Sequence, residues 1–233
     1  YKVRMGVETR GGFVWGPYTE FTVNTFFAGF VNDPLWTMIS GGVGHSKRWK
    51  LDIDANKITK HSDLWAGPLG FWGTDVNWNS VMLGQEIDGD TWSWIPDIAS
   101  NGWVMKAMDH GYMEFDLKDG AHVTIYDAES GKTMKGTYML DPEKHTITFT
   151  DVKLLHNAEH DGVVTNWSSN LALFGLDNDR LQIAVLRDNS SECPCKLCYN
   201  FVSQEYWDNW KPNAKPVNDN VKPTLVEGWK NLL

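Results

Sequence analysis

Short segments in which apolar and polar residues alternate dominate the chain, and turn-forming residues separate these segments at roughly ten-residue intervals. "GYMEFDL" and "AHVTIYD" flank the turn "KDG", and "KGTYMLD" and "HTITFTD" flank the turn "PEK". An alternation of period two places the apolar side chains on one face of a strand. No segment has a long apolar period of 3.6 residues. We therefore predict an all-β fold, an antiparallel β-sandwich or jelly roll.

The pattern divides the chain into four parts. Residues 1–24 alternate around a Gly-Gly turn, which predicts a β-hairpin. This hairpin resembles the last two strands of an immunoglobulin-like module of the PKD or fibronectin-III type, and we expect the rest of that module upstream of Tyr1. We predict a linker at 25–35, the sandwich at 36–210 and an extended C-terminal arm at 211–233, where prolines disfavour regular structure.

Charge and hydrophobicity exclude two classes of partner. The net charge is −9, and no basic cluster is longer than "SKRWK", so we do not expect nucleic-acid binding. No apolar run approaches the ~20 residues of a membrane-spanning helix, so we expect no transmembrane segment. The 13 tryptophans exceed what one core needs, which favours a role for several of them as flat surfaces for sugar rings.

Most of the aromatic candidates for a sugar site lie between Leu64 and Met105. This stretch holds six tryptophans among glycine, asparagine, aspartate and proline, and long irregular segments of compact domains are usually functional. An indole stacks on a sugar ring, while amides and carboxylates bond to vicinal hydroxyl groups. The predicted ligand-binding residues are Trp65, Trp72, Asn77, Trp78, Trp94, Asp97 and Trp103.

A run of acidic residues in "GQEIDGDTW" raises an alternative with catalysis. It resembles the E-I-D-x-E strand of lichenase- and laminarinase-type glycoside hydrolases, in which two carboxyl groups act across the scissile bond. In that alternative Glu86 and Asp90 are the catalytic pair. Asp88-Gly89 is a turn dipeptide, however, so we interpret the stretch as a turn and predict no catalytic residues.

The three cysteines are crowded into "CPCKLC", at Cys193, Cys195 and Cys198. Zinc sites usually take four ligands in two separated pairs, and the sequence offers no second pair. We expect either one local disulfide with one free thiol or a wholly reduced loop.

Two further groups of polar residues could hold metal ions. His156 and His160, with Asp161, would share a face only on a helix, and we interpret them as a polar loop. Asp52 and Asp54 could ligate a structural calcium ion, because Ca²⁺ is bound by carboxylate and carbonyl oxygens. Apart from that calcium ion, we expect no metal and no cofactor.

Six motifs carry a resemblance to a family of Bacteroidetes surface lipoproteins. They are "KRWKLDID", "AGPLGFWGTD", "GDTWSWIPDIASNGWVM", "GTYMLDPEKHTITFTD", "LQIAVLRD" and "YNFVSQEY". The resemblance implies an immunoglobulin-like module before a jelly-roll domain, a lipid anchor at the outer membrane or an extracellular location, and association with a glycan-uptake transporter. We therefore predict a non-catalytic protein that captures a polysaccharide or oligosaccharide. The alternatives are a glycoside hydrolase and a structural spacer.

Overall fold

The structure is a computed structural model, and the chain forms two compact units, residues 1–30 and 31–233. Their boundary falls inside the predicted linker. The residues that the structure describes are 2–22, 29–53, 64–65, 67–74, 91–190 and 195–211.

The first unit contains the predicted hairpin. The strands are β1 Lys2–Val3, β2 Gly6–Thr9, β3 Gly12–Trp15 and β4 Thr19–Glu20. Strands β2 and β3 pair antiparallel around a turn that ends at Gly12, which has a φ of +108°, a conformation that favours glycine. Strands β1 and β4 also pair antiparallel. Every described residue of these strands is exposed.

In the part of the second unit that the structure describes, there are ten strands and two short α-helices. Two 3-10 helices are also described, Gly29–Asn32 and Ala158–His160. None of the described helices is long and apolar enough to cross a membrane. The elements are α1 Pro34–Ser40, β5 Ser46–Leu51, β6 Leu69–Thr74, β7 Thr91–Trp94, β8 Gly111–Asp116, β9 His122–Asp127, β10 Lys132–Asp141, β11 Thr146–Thr150, β12 Leu171–Leu176, β13 Arg180–Arg187, β14 Cys195–Ser203 and α2 Gln204–Asn209.

Eight of these strands form a closed antiparallel barrel. The strands run in the order β5-β8-β9-β10-β11-β12-β13-β14, and β14 closes the ring by pairing with β5 as well as with β13. The prediction of an all-β fold is confirmed. The prediction of a sandwich or jelly roll is wrong, because one sheet closes on itself instead of two sheets packing face to face. Closure also removes the unpaired edges that an open sheet would have.

Apolar side chains fill the barrel. On β8 the buried Met113 and Phe115 point inward and alternate with partly exposed residues, as the sequence pattern predicts. Inward-facing side chains of the other strands join them in one cluster. An eight-stranded barrel is just wide enough for side chains to fill it. Each large side chain buried in this way contributes roughly 1.5–3 kcal/mol.

Helix α1 closes one end of the barrel. It begins after Asp33, whose Oδ1 accepts a 2.9 Å bond from the N–H of Leu35, and Gly41 ends it with a φ of 84°. Trp36 and Ile39 of this helix are fully buried in the barrel core. The connections 95–110 and 151–170 lie at the opposite end, which we call the far end.

Strand β14 is buried on both faces, so the thiols of its two cysteines are shielded from solvent. Cys195 belongs to the barrel core, whereas Cys198 packs with Ala172 and Ala184 on the outer face. Residues three apart on a strand face opposite ways, so these two thiols cannot form a disulfide with each other. Burial raises the pKa of the Cys198 thiol far above its usual range. Cys193 lies outside the described residues.

Candidate functional site

The hairpin β6–β7 extends the barrel at its far end. Strand β14 pairs with β5 through Phe201–Ser203 and with β6 through Lys196–Tyr199, so β5 and β6 follow one another along the same edge of β14. Strand β7 then pairs with β6. The hairpin is therefore held to the barrel by backbone hydrogen bonds.

An aromatic stack lies on the inner face of this hairpin. Phe71 of β6 and Trp94 of β7 are directly opposite each other, with ring centroids 5.1 Å apart. Trp103 stacks on Trp94 at 6.0 Å, with an interplanar angle of 28°. Exposure rises along the stack, from the half-buried Phe71 to 39% at Trp94 and 71% at Trp103. The stack ends in solvent at Trp103.

A compact turn positions Trp103. Asp97 Oδ1 accepts a 3.1 Å bond from the N–H of Ala99, and its Oδ2 accepts a 2.8 Å bond from the hydroxyl of Ser100. The Asn101 side-chain amide donates to the Asp97 carbonyl at 2.9 Å. Asp97 was predicted as a ligand-binding residue, and the structure shows both of its carboxylate oxygens engaged in this turn. Its clearest role is to order the turn.

A buried histidine lies beneath the stack. His160 is 8% exposed, its ring meets Phe71 edge-on at 6.5 Å, and its Nδ1 lies 2.5 Å from the hydroxyl oxygen of Tyr199. A bond from the imidazole to the carbonyl of Val104 makes the ring a donor there, so Nδ1 accepts from Tyr199. Burial lowers the pKa of His160 to about 4. The neutral ring thus connects Tyr199 of β14 with Val104, the residue after Trp103.

His156 is held separately from His160. Its ring stacks on Trp167 at 3.6 Å, and its Nε2 lies 2.9 Å from Asp161 Oδ1. Its Nδ1 lies 2.5 Å from the carbonyl oxygen of Leu154. The segment contains a 3-10 helix of three residues rather than an α-helix, so His156 and His160 do not share a helical face. The two imidazoles have different partners, as expected of a folded loop.

Two of the predicted platform tryptophans face the protein. Trp65 is only 3% exposed, and its indole N–H donates to the carbonyl of Phe201 at 2.9 Å. Its ring therefore has no free face in solvent for a sugar ring to stack on. Trp72 is half-buried and packs on Phe174, with centroids 5.7 Å apart, against the outer face of the barrel. Trp94 and Trp103 are the predicted tryptophans that the structure exposes.

Several predicted residues lie outside the described residues. They are Asn77 and Trp78 of the binding set, the alternative catalytic pair Glu86 and Asp90, and Asp54 of the calcium hypothesis. Asp52, the other residue of that hypothesis, is fully buried.

A polar cleft of about 760 Å³ lies at the α1 end of the barrel. Several of its polar side chains already have partners. Arg48 bonds to Glu114, Lys47 donates to two backbone carbonyls, and the Ser203 hydroxyl donates to Asp179 at 2.6 Å. Burial lowers the pKa of the Lys47 amine. Because these groups satisfy one another, the cleft offers less for a ligand than the aromatic stack does.

Among the described residues, one group of three side chains could hold a metal ion, and it lies at the β8–β9 turn. His122 Nδ1 is 3.6 Å from a carboxylate oxygen of Asp116 and 3.5 Å from one of Asp119. Asp119 is largely exposed, and exposed acidic groups are common in proteins without a bound ion. We assign no metal to this turn.

The sequence interpretation did not name Phe71, and it placed His160 in a polar loop without indicating its buried contacts. Phe71 sits two residues after Leu69, so strand alternation could have indicated that it faces inward. Nothing in the sequence indicates that His160 contacts Tyr199, which is 39 residues away.

Comparison with protein-family models found no match, and comparison with curated proteins found no significant match. We therefore infer the binding site from the geometry of the chain itself.

Proposed function

We propose that this protein is a non-catalytic carbohydrate-binding protein and that the aromatic stack Phe71–Trp94–Trp103 is its binding surface. The observation that carries the proposal is the exposed Trp103, whose ring contacts Trp94, which in turn contacts Phe71. Isolated exposed apolar side chains are common on protein surfaces. Two exposed indoles in contact instead form a continuous apolar patch, and such patches more often mark a binding surface.

The physical argument rests on rigidity. A sugar ring has faces of C–H groups that pack on an indole, a contact worth on the order of 1 kcal/mol. A freely rotating tryptophan would lose conformational entropy on binding, whereas Trp103 is already held against Trp94. The self-bonded turn at Asp97 further limits its motion. Little of the stacking free energy is therefore spent on ordering the Trp103 side chain when a sugar binds.

The wider role in our proposal is the capture of a polysaccharide or oligosaccharide at the cell surface for an uptake system. It includes a lipid anchor at the outer membrane, an extracellular location and a neighbouring glycan transporter as partner. This part of the proposal rests on the sequence resemblance to Bacteroidetes surface lipoproteins alone. A structural calcium ion is likewise a proposal from the sequence.

Two other functions make different predictions. A glycoside hydrolase acting through Glu86 and Asp90 would release reducing sugar from a polysaccharide, and a Glu86→Gln variant would lose that activity. The analogy with jelly-roll hydrolases weakens because the fold is a barrel. A structural spacer would have no affinity for any glycan.

The test is electrophoresis of the folded protein in gels that contain individual polysaccharides. We expect at least one polysaccharide to retard the parent protein. Trp103→Ala should weaken binding roughly fivefold to tenfold, from the loss of about 1 kcal/mol of stacking, and Trp94→Ala/Trp103→Ala should nearly abolish it. Trp15→Ala is the matched control, since Trp15 is 50% exposed but lies in the other unit.

Two results would overturn the proposal. One is a folded double variant that is retarded as strongly as the parent, and the other is an equal loss of retardation in Trp15→Ala. Release of reducing sugar that disappears in Glu86→Gln would instead establish the hydrolase.

A further inference from the structure

Trp103 is held differently from the other two rings of the stack. Phe71 and Trp94 lie in paired strands, whereas Trp103 lies in the connection 95–110 between β7 and β8. All residues of this connection are described, and they form turns and irregular structure without a strand. Because Trp103 is 71% exposed, its side chain contributes little to fixing the backbone there. The position of its indole therefore depends on how the neighbouring backbone is held.

Val104, the next residue, is fixed through three groups. Its side chain is 1% exposed and belongs to the barrel core, and its N–H donates to the carbonyl of Asn101 at 2.9 Å. Its carbonyl accepts from the imidazole of His160 and from the side-chain amide of Asn157, the latter at 3.1 Å. A carbonyl oxygen has two lone pairs, and here two side chains use them. Because consecutive Cα atoms lie about 3.8 Å apart, fixing Val104 also limits where Trp103 can lie.

The two donors are themselves anchored to β14. Asn157 is fully buried, and His160 is 8% exposed. The hydroxyl of Tyr199 donates to His160 Nδ1 at 2.5 Å and accepts from the backbone N–H of Asn157. Tyr199 lies where β14 pairs with both β13 and β6, so its position is set by the sheet. The buried network therefore connects the barrel wall to the backbone beside Trp103, and the loss of one of its members is costly.

We infer that Asn157 and His160 are positioning residues of the glycan site, and that they act on Trp103 through the Val104 carbonyl. This inference rests on the proposed function and adds the residues that hold its outermost ring. Both side chains are buried, so their role is to hold the backbone and not to touch the sugar. Their loss should weaken binding by letting Trp103 move, because part of the stacking free energy is then spent on ordering it.

The experiment is a double-mutant cycle between Asn157 and Trp103, measured in gels that contain a polysaccharide that retards the parent protein. Asn157→Ala removes the amide that donates to Val104. Tyr199→Phe is the second variant, since it removes the hydroxyl that fixes His160 and keeps the packing of the ring. Urea titration establishes that each variant is folded under the conditions of the gel, and the cycle is run with Tyr199→Phe if Asn157→Ala does not fold.

Ser40→Ala is the matched control. The Ser40 hydroxyl is fully buried and donates to the carbonyl of Trp36 at 2.6 Å. This variant therefore loses the same kind of hydrogen bond at the α1 end of the barrel, away from Trp103. A general loosening of the fold would weaken binding in Ser40→Ala as well, whereas a displaced Trp103 would not.

We expect Asn157→Ala and Tyr199→Phe each to weaken binding about twofold to fivefold, less than the removal of Trp103, because the ring is loosened and not lost. In the Trp103→Ala background, either change should alter binding by less than about 1.5-fold, since the residue through which the network acts is absent. Ser40→Ala should bind like the parent.

Three results would overturn the inference and leave the proposed function standing. They are parent-like binding by the folded network variant, an equal loss of binding with and without Trp103, and an equal loss in Ser40→Ala. If Trp103→Ala itself binds like the parent, or if no polysaccharide retards the protein, the proposed function fails, and this inference fails with it.

Discussion

Replacement of the buried His160 by glutamine should flatten the dependence of stability on pH. The pKa of His160 in the folded protein is lowered from 6.5 to about 4, chiefly by burial. Between these two values the unfolded chain binds a proton that the folded protein does not bind. The free energy of unfolding therefore holds its full value above pH 6.5 and falls as the pH drops towards 4. The linkage relation gives a loss of roughly 2–3 kcal/mol at about pH 4.5.

Glutamine is a suitable replacement because its amide can accept from Tyr199 and donate to the Val104 carbonyl without titrating. Urea unfolding at about pH 7 and pH 4.5 measures the two free energies for each protein. The parent should lose roughly 2–3 kcal/mol more than His160→Gln over this interval, because the other titrating groups are common to both. His45→Gln is the control, since the His45 side chain is exposed. Parallel losses in the parent and His160→Gln would refute the reasoning.

Two other predictions concern the barrel. A Cβ at residue 136 would lie 2.0 Å from the Thr150 carbonyl oxygen, so Gly136→Ala should lower the free energy of unfolding by about 1–3 kcal/mol in urea titrations. Gly162→Ala, where a Cβ meets nothing within 4 Å, should leave stability almost unchanged, and equal effects of the two would contradict the close approach. In a Cys193→Ser background, a thiol reagent should label neither Cys195 nor Cys198 in the folded protein and both in urea, because both thiols are buried. Rapid labelling of the folded protein would contradict that burial.

The sequence predicted the individual strands and turns better than it predicted that the sheet closes into a barrel. "GYMEFDL" and "AHVTIYD" are strands β8 and β9, joined at the predicted turn, because alternation and turn residues act over neighbouring positions. A sandwich and a barrel have the same alternation of inward and outward residues. What distinguishes them here is that β14 pairs with both β13 and β5, a contact between distant parts of the chain. Local pattern cannot show it.

The same limit explains the mixed outcome for the tryptophans. Trp65 and Trp103 both lie beside glycine-containing loop sequences, yet one is buried and the other is mostly exposed. The indole N–H of Trp65 finds its acceptor on Phe201, 136 residues away. Composition can therefore indicate that some tryptophans serve a surface, but which ones do so depends on long-range partners.

The way the hairpin joins the barrel holds the candidate site in place without help from its outermost side chain. Strand β5 covers one part of the edge of β14, and β6 covers the next part, so β6–β7 prolongs the barrel wall without opening it. An edge left bare there would expose unpaired backbone groups, which folded proteins avoid. The backbone ladder therefore fixes the position of the stack, and the outermost side chain contributes little to holding it. Because Trp103 is 71% exposed, its removal should change the free energy of unfolding by only about 0.5 kcal/mol. A loss of glycan retardation in Trp103→Ala would then report on binding and not on unfolding.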